Sequence, residues 1–328
     1  MSHLHPRLED HPDYPFRPET QARRRKWLEA FLDRPPLNTD AGELVAAFLD
    51  RVANFAFLER LIDGDVRFEL PVHPEALRVE SEVDPEEHGD RLARSELDLF
   101  AFDDYPAAEL HHQLEEMGIK VVHANQTPEG DLHGGFCFEG EIGPAILVGA
   151  DQETREASFI LAHELAHLVI DVDPYRSRCC RWDPRSFANR SASLEERRAD
   201  QFALSLLLPQ VELAERAAEA GTPPRLDVLT ALFGVPEVLI ARRLAQFGLE
   251  IPAPRASASS GAPAESEAPA LKPALPARYV HLAIAAWAHR LLERDRLALF
   301  LSVPEIETQA MIEWLGVERL PEHDETEN

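Results

Sequence analysis

Phe159-Ile160-Leu161-Ala162-His163-Glu164-Leu165-Ala166-His167-Leu168-Val169-Ile170 sets two histidines and a glutamate inside an otherwise apolar run. Helical residues four apart lie about 40° apart around the axis, so His163 and His167 can present imidazole nitrogens to one ion, with Glu164 turned toward the same cleft. The apolar flanks predict that the helix is almost wholly buried. Ionisable groups are rarely buried without a partner or a metal, so chance is a poor account of the pattern. The His-Glu-x-x-His spacing predicts a divalent metal on two neutral imidazoles, with a position left for water whose pKa falls toward about 7, and Glu164 placed to take that water's proton.

Catalytic zinc sites use a third protein ligand. Downstream lies Ser193-Leu194-Glu195-Glu196-Arg197-Arg198-Ala199-Asp200-Gln201-Phe202-Ala203-Leu204-Ser205-Leu206-Leu207-Leu208-Pro209. Ser193 with Glu196 three residues later is a capping-box signature, and Ala199, Phe202, Ala203, Leu206 and Leu207 form an apolar stripe that closes at Pro209. Glu195 and Glu196 taken alone would be an ordinary solvated first turn, since acidic residues favour a helix N-terminus. Beside the first motif they are candidate ligands. Glu196 is favoured because Asp200 follows it by one turn on the same face, where it can accept a proton from a ligand histidine's other ring nitrogen.

These two motifs resemble those of the ImmA/IrrE family of metallopeptidases, through Arg155-x-x-x-Phe159-x-Leu-Ala-His-Glu-Leu-Ala-His-Leu168 and Glu196-x-x-Ala-Asp-x-Phe-Ala-x-x-Leu-Leu-Leu-Pro209. The resemblance extends upstream. Glu115-Glu116-Met117-Gly118-Ile119-Lys120-Val121-Val122 is similar to the helix end and first strand of those domains, and Gly134-Gly135-Phe136 with Ala145-Ile146-Leu147-Val148 to the hairpin before their metal helix, so that roughly residues 96 to 210 are covered. It implies that His163, His167 and Glu196 bind the metal, that Glu164 is the general base, and that the substrate is a helix-turn-helix repressor whose cleavage switches on a stress response or a mobile element. One position departs: Arg198 stands where the family often has a glutamate. The expected fold is α+β, a mostly helical zincin-like core with a small sheet, flanked by helical modules. The expected cofactor is Zn²⁺, with Mn²⁺ as the other candidate.

The chain has 328 residues, of which 45% are apolar, enough for two to three domains. No run approaches the eighteen apolar residues of a membrane span, and Met1-Ser-His-Leu-His-Pro-Arg7 is not an apolar signal segment; the expected location is cytoplasmic, with no membrane partner. Cys137, Cys179 and Cys180 are too few, and two of them too close, for a disulfide framework. Cys179 and Cys180 lie among Arg176, Arg178 and Arg181, which favour thiolate, although two idle loop cysteines are the simpler expectation. The net charge of −26 opposes non-specific attraction to nucleic acid and suits a basic protein partner.

Residues 1–16 read as a disordered arm, 17–80 as an N-terminal helical region and 81–211 as the metallopeptidase domain. Within this scheme the acidic, proline-interrupted stretch 67–92 reads as a connector. The basic run Arg23-Arg24-Arg25-Lys26 is expected to be a solvated helix face. Residues 212–252 have a helix-turn-helix outline, with Gly234 ending one helix and Pro236 opening the next. Arg242 and Arg243 are the only cations on the second of these helices, so packing or partner docking is favoured over DNA contact. Residues 253–276 read as a flexible linker and 277–328 as a C-terminal helical module that docks a partner. Tyr175, His123 and His133 are the candidates for polarising a scissile carbonyl. The alternative function is a transcriptional regulator or scaffold that keeps the metal site without proteolysis.

Segment 253–276, composed largely of Ala, Ser, Pro and Glu, cannot bury enough apolar surface to offset the cost of ordering it. Limited proteolysis is therefore expected to cut there first, as mass spectrometry of the fragments would show; first cuts inside 155–245 would contradict the assignment.

Overall fold

The computed structural model describes residues 14–22, 24, 39–66, 68, 70, 84–100, 102, 105–123, 134–139, 142–149, 155–171, 178–183, 193–249 and 275–315. In chain order the elements are α1 (Thr39–Asp63), α2 (Pro85–Phe100), α3 (Pro106–Glu116), β1 (Lys120–His123), β2 (Gly134–Glu139), β3 (Gly143–Val148), α4 (Arg155–Ala166) running into a π-helical turn (His167–Asp171), β4 (Arg178–Asp183), α5 (Leu194–Leu207), α6 (Gln210–Glu219), α7 (Leu226–Phe233), α8 (Glu237–Gln246), α9 (Ala277–Ala288), α10 (Arg294–Leu301) and α11 (Glu305–Leu315). The fold is mostly helical with one small mixed sheet. No helix among the described residues is long and apolar enough to cross a membrane.

Two compact units are present, one holding α2 to α8 and the other made of α1 from Gly42 onward with α9, α10 and α11. In the first, the sheet runs β1-β3-β2-β4. β1 is parallel to β3, and β2 is antiparallel to both β3 and β4. Gly134, Val148 and His123 share one row of this register, which aims all three at the same face of the sheet. Cys179 and Cys180 lie in β4, not in a loop, because this segment pairs with β2; their side chains fall outside the described residues.

α4 packs on the sheet and on α5. Every residue from Phe159 to Ile170 is buried, as expected for a helix apolar on all sides. α2 corrects the last part, 85–92, of the connector expected over 67–92, most of whose earlier residues lie outside the described ones. Its His88, Leu92, Ala93, Glu96 and Phe100 recur at helical spacing and are buried, while Asp84 accepts the Glu86 and Glu87 amides at the N-terminus. Gly89 lets α2 lie directly on α5: a Cβ there would strike the Arg198 carbonyl oxygen and stand 3.0 Å from the Phe202 amide nitrogen.

α7 and α8 share one core with α4 and α5 through Leu229, Phe233, Leu239, Ile240 and Leu244. Gly234 takes the left-handed conformation, at φ +70°, that lets α7 stop and α8 start. Arg243 is buried, donating to Asp90 of α2 at 2.9 Å and to the Leu208 carbonyl at 3.2 Å. Burial would raise the Asp90 pKa, but hydrogen bonds from Ser205, Arg243 and Arg94 outweigh it and hold the carboxyl below its usual value.

The second unit has its own core. Tyr14, which falls within the expected arm, is buried there against Phe57, and Phe57 stacks on Phe300 of α10 with ring centroids 5.9 Å apart. The Tyr279 hydroxyl of α9 donates to the Phe300 carbonyl at 2.8 Å, and buried Glu59 pairs with Arg278 at 2.6 Å. α1 and the helices after residue 276 thus share one core, where composition alone gives two separate modules. In the basic run near residue 24, Arg24 donates to Asn54 at 2.7 Å; its neighbours Arg23, Arg25 and Lys26 lie outside the described residues, as do 1–13 and 250–274.

An alanine in a helix ordinarily gains up to about 1 kcal/mol over glycine. At Gly89 the collision with α5 is with backbone, which cannot swing aside, so Gly89→Ala is expected to cost about 1–3 kcal/mol net. Thermal unfolding should show a midpoint several degrees lower; a rise would mean that the helices are not in this contact.

Candidate metal centre

Three side chains from two helices converge. Ser193 caps α5, its hydroxyl accepting the Glu196 amide at 3.3 Å, and the Glu196 carboxylate points at α4. The Nε2 atoms of His163 and His167 are 3.1 Å apart, and the two Glu196 oxygens lie 3.3 Å and 3.5 Å from them. Both histidines are buried, at 0% and 1% exposure. A tetrahedral ion with ligands at 2.0–2.1 Å requires donor atoms about 3.3 Å from one another, which is the spacing found. Two imidazoles and a carboxylate are a donor set that fits a divalent metal of the zinc type.

His163 Nδ1 faces Asp200 Oδ1 at 3.1 Å. An N–H donated there places the ring's lone pair on Nε2, the atom that faces the other two donors. Beyond Asp200, Arg242 of α8 approaches Oδ2 at 3.6 Å. Glu195, the other candidate carboxylate, is not in the converging group.

Glu164 is 1% exposed and sits beside β2. The structure adds Gly134 to the residues that shape the site: a Cβ on it would lie 2.7 Å from Glu164 Oε1 and 2.9 Å from Ile160 Cγ2. The signal in the sequence was the glycine pair at Gly134-Gly135, which reads equally as a turn.

Residues 114–245 match the family model described as Peptidase_M78, the IrrE N-terminal-like domain. This part of the chain is an IrrE-type metallopeptidase domain. The match takes in α7 and α8 beyond the segment that the motifs alone covered, in keeping with their place in the metallopeptidase core. No curated protein matches the chain.

Of the three candidates for polarising a carbonyl, Tyr175 and His133 lie outside the described residues. In the IrrE-type domain His123 lines a pocket of about 110 Å³ with His111, Ala157, Ser158 and Leu161, on a side of α4 turned well away from His163. The His111 and His123 rings stack with centroids 5.3 Å apart. Burial, with His123 and His112 nearby, pushes the His111 pKa down to about 4, so this imidazole is neutral at pH 7.

Because Gly134 lies against Glu164 and not against a converging donor atom, Gly134→Ala should leave bound metal unchanged and displace Glu164. In any assay in which the wild type cleaves, turnover is expected to fall by about 10²-fold, the usual cost of a misplacement near 1 Å. Full turnover would show that Glu164 does not depend on this close approach.

Proposed function

We propose that the chain is a zinc-dependent endopeptidase that cleaves a helix-turn-helix transcriptional repressor, so releasing a stress or mobile-element response. The observation that carries the zinc assignment is the 3.1–3.5 Å spacing of the His163, His167 and Glu196 donor atoms. His163, His167 and Glu196 hold the ion, with Asp200 orienting His163. When bound there, the ion supplies Lewis acidity toward the scissile carbonyl and activates water at neutral pH.

Glu164 takes the proton of the attacking water and then delivers it to the departing amine nitrogen. Its burial strengthens that role, since few solvent molecules compete for the carboxylate and the strand at Gly134 fixes where it sits. The repressor assignment is supported by the resemblance to ImmA/IrrE proteins and by the net charge of −26, which favours encounter with a basic protein. A direct DNA-binding role draws little support from α8, whose Arg243 is buried against Asp90 and whose Arg242 faces Asp200. A cytoplasmic setting is part of the same proposal.

The test combines metal analysis with cleavage of a helix-turn-helix repressor encoded beside this gene. His163→Ala, His167→Ala and Glu196→Gln should each lower bound zinc. Glu164→Gln should keep the zinc and lose about 10²–10⁴-fold in turnover. If Glu195→Gln lost metal while Glu196→Gln kept it, the third ligand would be misassigned. Binding of the intact repressor or its operator without cleavage, in zinc or in manganese, would replace the peptidase with a regulator that retains a metal site.

A further inference from the structure

The two arginines of α8 are sequence neighbours with different surroundings. Arg243 is 5% exposed and tied to Asp90, the Leu208 carbonyl and Gln246, so it is part of the packing between α8, α5 and α2. Arg242 is 44% exposed and points toward Asp200, whose side chain is 13% exposed. Asp200 therefore has one oxygen, Oδ1, on His163 Nδ1 at 3.1 Å and the other, Oδ2, on Arg242 at 3.6 Å.

We propose that Arg242 is a positioning residue of the metal centre, holding Asp200 so that His163 presents Nε2 to the ion. This rests on the assignment of His163, His167 and Glu196 as metal ligands. An aspartate carboxylate turns easily about its Cβ–Cγ bond, and a cation on its far oxygen limits the turn. The hydrogen bond to Nδ1 in turn fixes the histidine's tautomer and ring plane. Two effects oppose each other here: the arginine's positive charge repels a dication, while its grip on Asp200 aligns a ligand. The carboxylate lies between the two cations and Arg242 reaches solvent, so repulsion is screened and alignment prevails. α8 thereby contributes to metal affinity from outside both sequence motifs.

The experiment is zinc titration of the full chain against a competing chromophoric chelator, for the wild type, Arg242→Ala, Arg242→Lys, Asp200→Asn and the Arg242→Ala/Asp200→Asn double variant, with thermal midpoints of the metal-free proteins. Wild type should bind one zinc that His163→Ala removes. Arg242→Ala should bind about threefold to tenfold more weakly, less than the 10–100-fold loss typical when a direct partner of a ligand is removed. Arg242→Lys should recover part of the loss. In the Asp200→Asn background, removal of Arg242 should cost nothing more, because the cycle isolates the pair. The metal-free midpoints of Arg242→Ala and Arg242→Lys should agree with the wild type within about 2 °C, as for an exposed side chain. Equal loss with and without Asp200, a lowered metal-free midpoint, or unchanged or tighter binding in Arg242→Ala would overturn the proposal. A wild type that binds no zinc, or a zinc indifferent to His163→Ala, would overturn the metal-site assignment itself and this inference with it.

Discussion

Burying two imidazoles and a carboxylate within 3.5 Å of each other in an apolar core constrains everything around them. Two imidazole nitrogens at hydrogen-bonding distance, facing a carboxylate that is 12% exposed, bring three polar groups to one point. In a low-dielectric setting such a cluster is costly unless a cation or protons sit among it. Phe159, Ile160, Leu165, Leu168 and Phe202 hold the arrangement by packing α4 and α5 into one buried core. The apolar surroundings hold the donors in place, and an ion would relieve the repulsion that the packing imposes.

The buttresses are graded by distance from the donors. Asp200 touches a ligand, Arg242 touches Asp200, and Arg243 with Asp90 and Ser205 fixes the helices that carry them. The absence of a side chain at Gly89 sets the separation of α2 and α5, and its absence at Gly134 sets that of β2 and Glu164. Both glycines act by permitting close approach, a constraint felt only once the neighbouring element is in position.

What could be read in the residues follows from this. The His163 and His167 pair, Glu164, and the Glu196 and Asp200 pair lie within single helices, where a period of 3.6 residues converts spacing into geometry. α2 was obscured because Pro85, Glu86, Glu87, His88, Gly89 and Asp90 look like connector chemistry; its apolar face becomes evident only against α5. Arg242 and Arg243 were legible as cations on a helix-turn-helix outline, yet their inward partners, Asp200 and Asp90, lie about 40 and 150 residues away in the chain. The shared core of α1 with α9 to α11 joins segments separated by more than two hundred residues, which no local pattern encodes.

The three cysteines are the competing class of ligand, since Cys137 and Cys180 are backbone partners in the β2–β4 register and Cys179 is adjacent. X-ray absorption at the zinc edge of the loaded full chain separates the two directly, because zinc–sulfur scattering appears near 2.3 Å and nitrogen or oxygen near 2.0–2.1 Å. Binding by His163, His167 and Glu196 predicts a shell of nitrogen and oxygen only, with the multiple-scattering signature of two imidazoles that becomes one in His163→Ala. A sulfur shell, or a spectrum unaltered by His163→Ala, would contradict it.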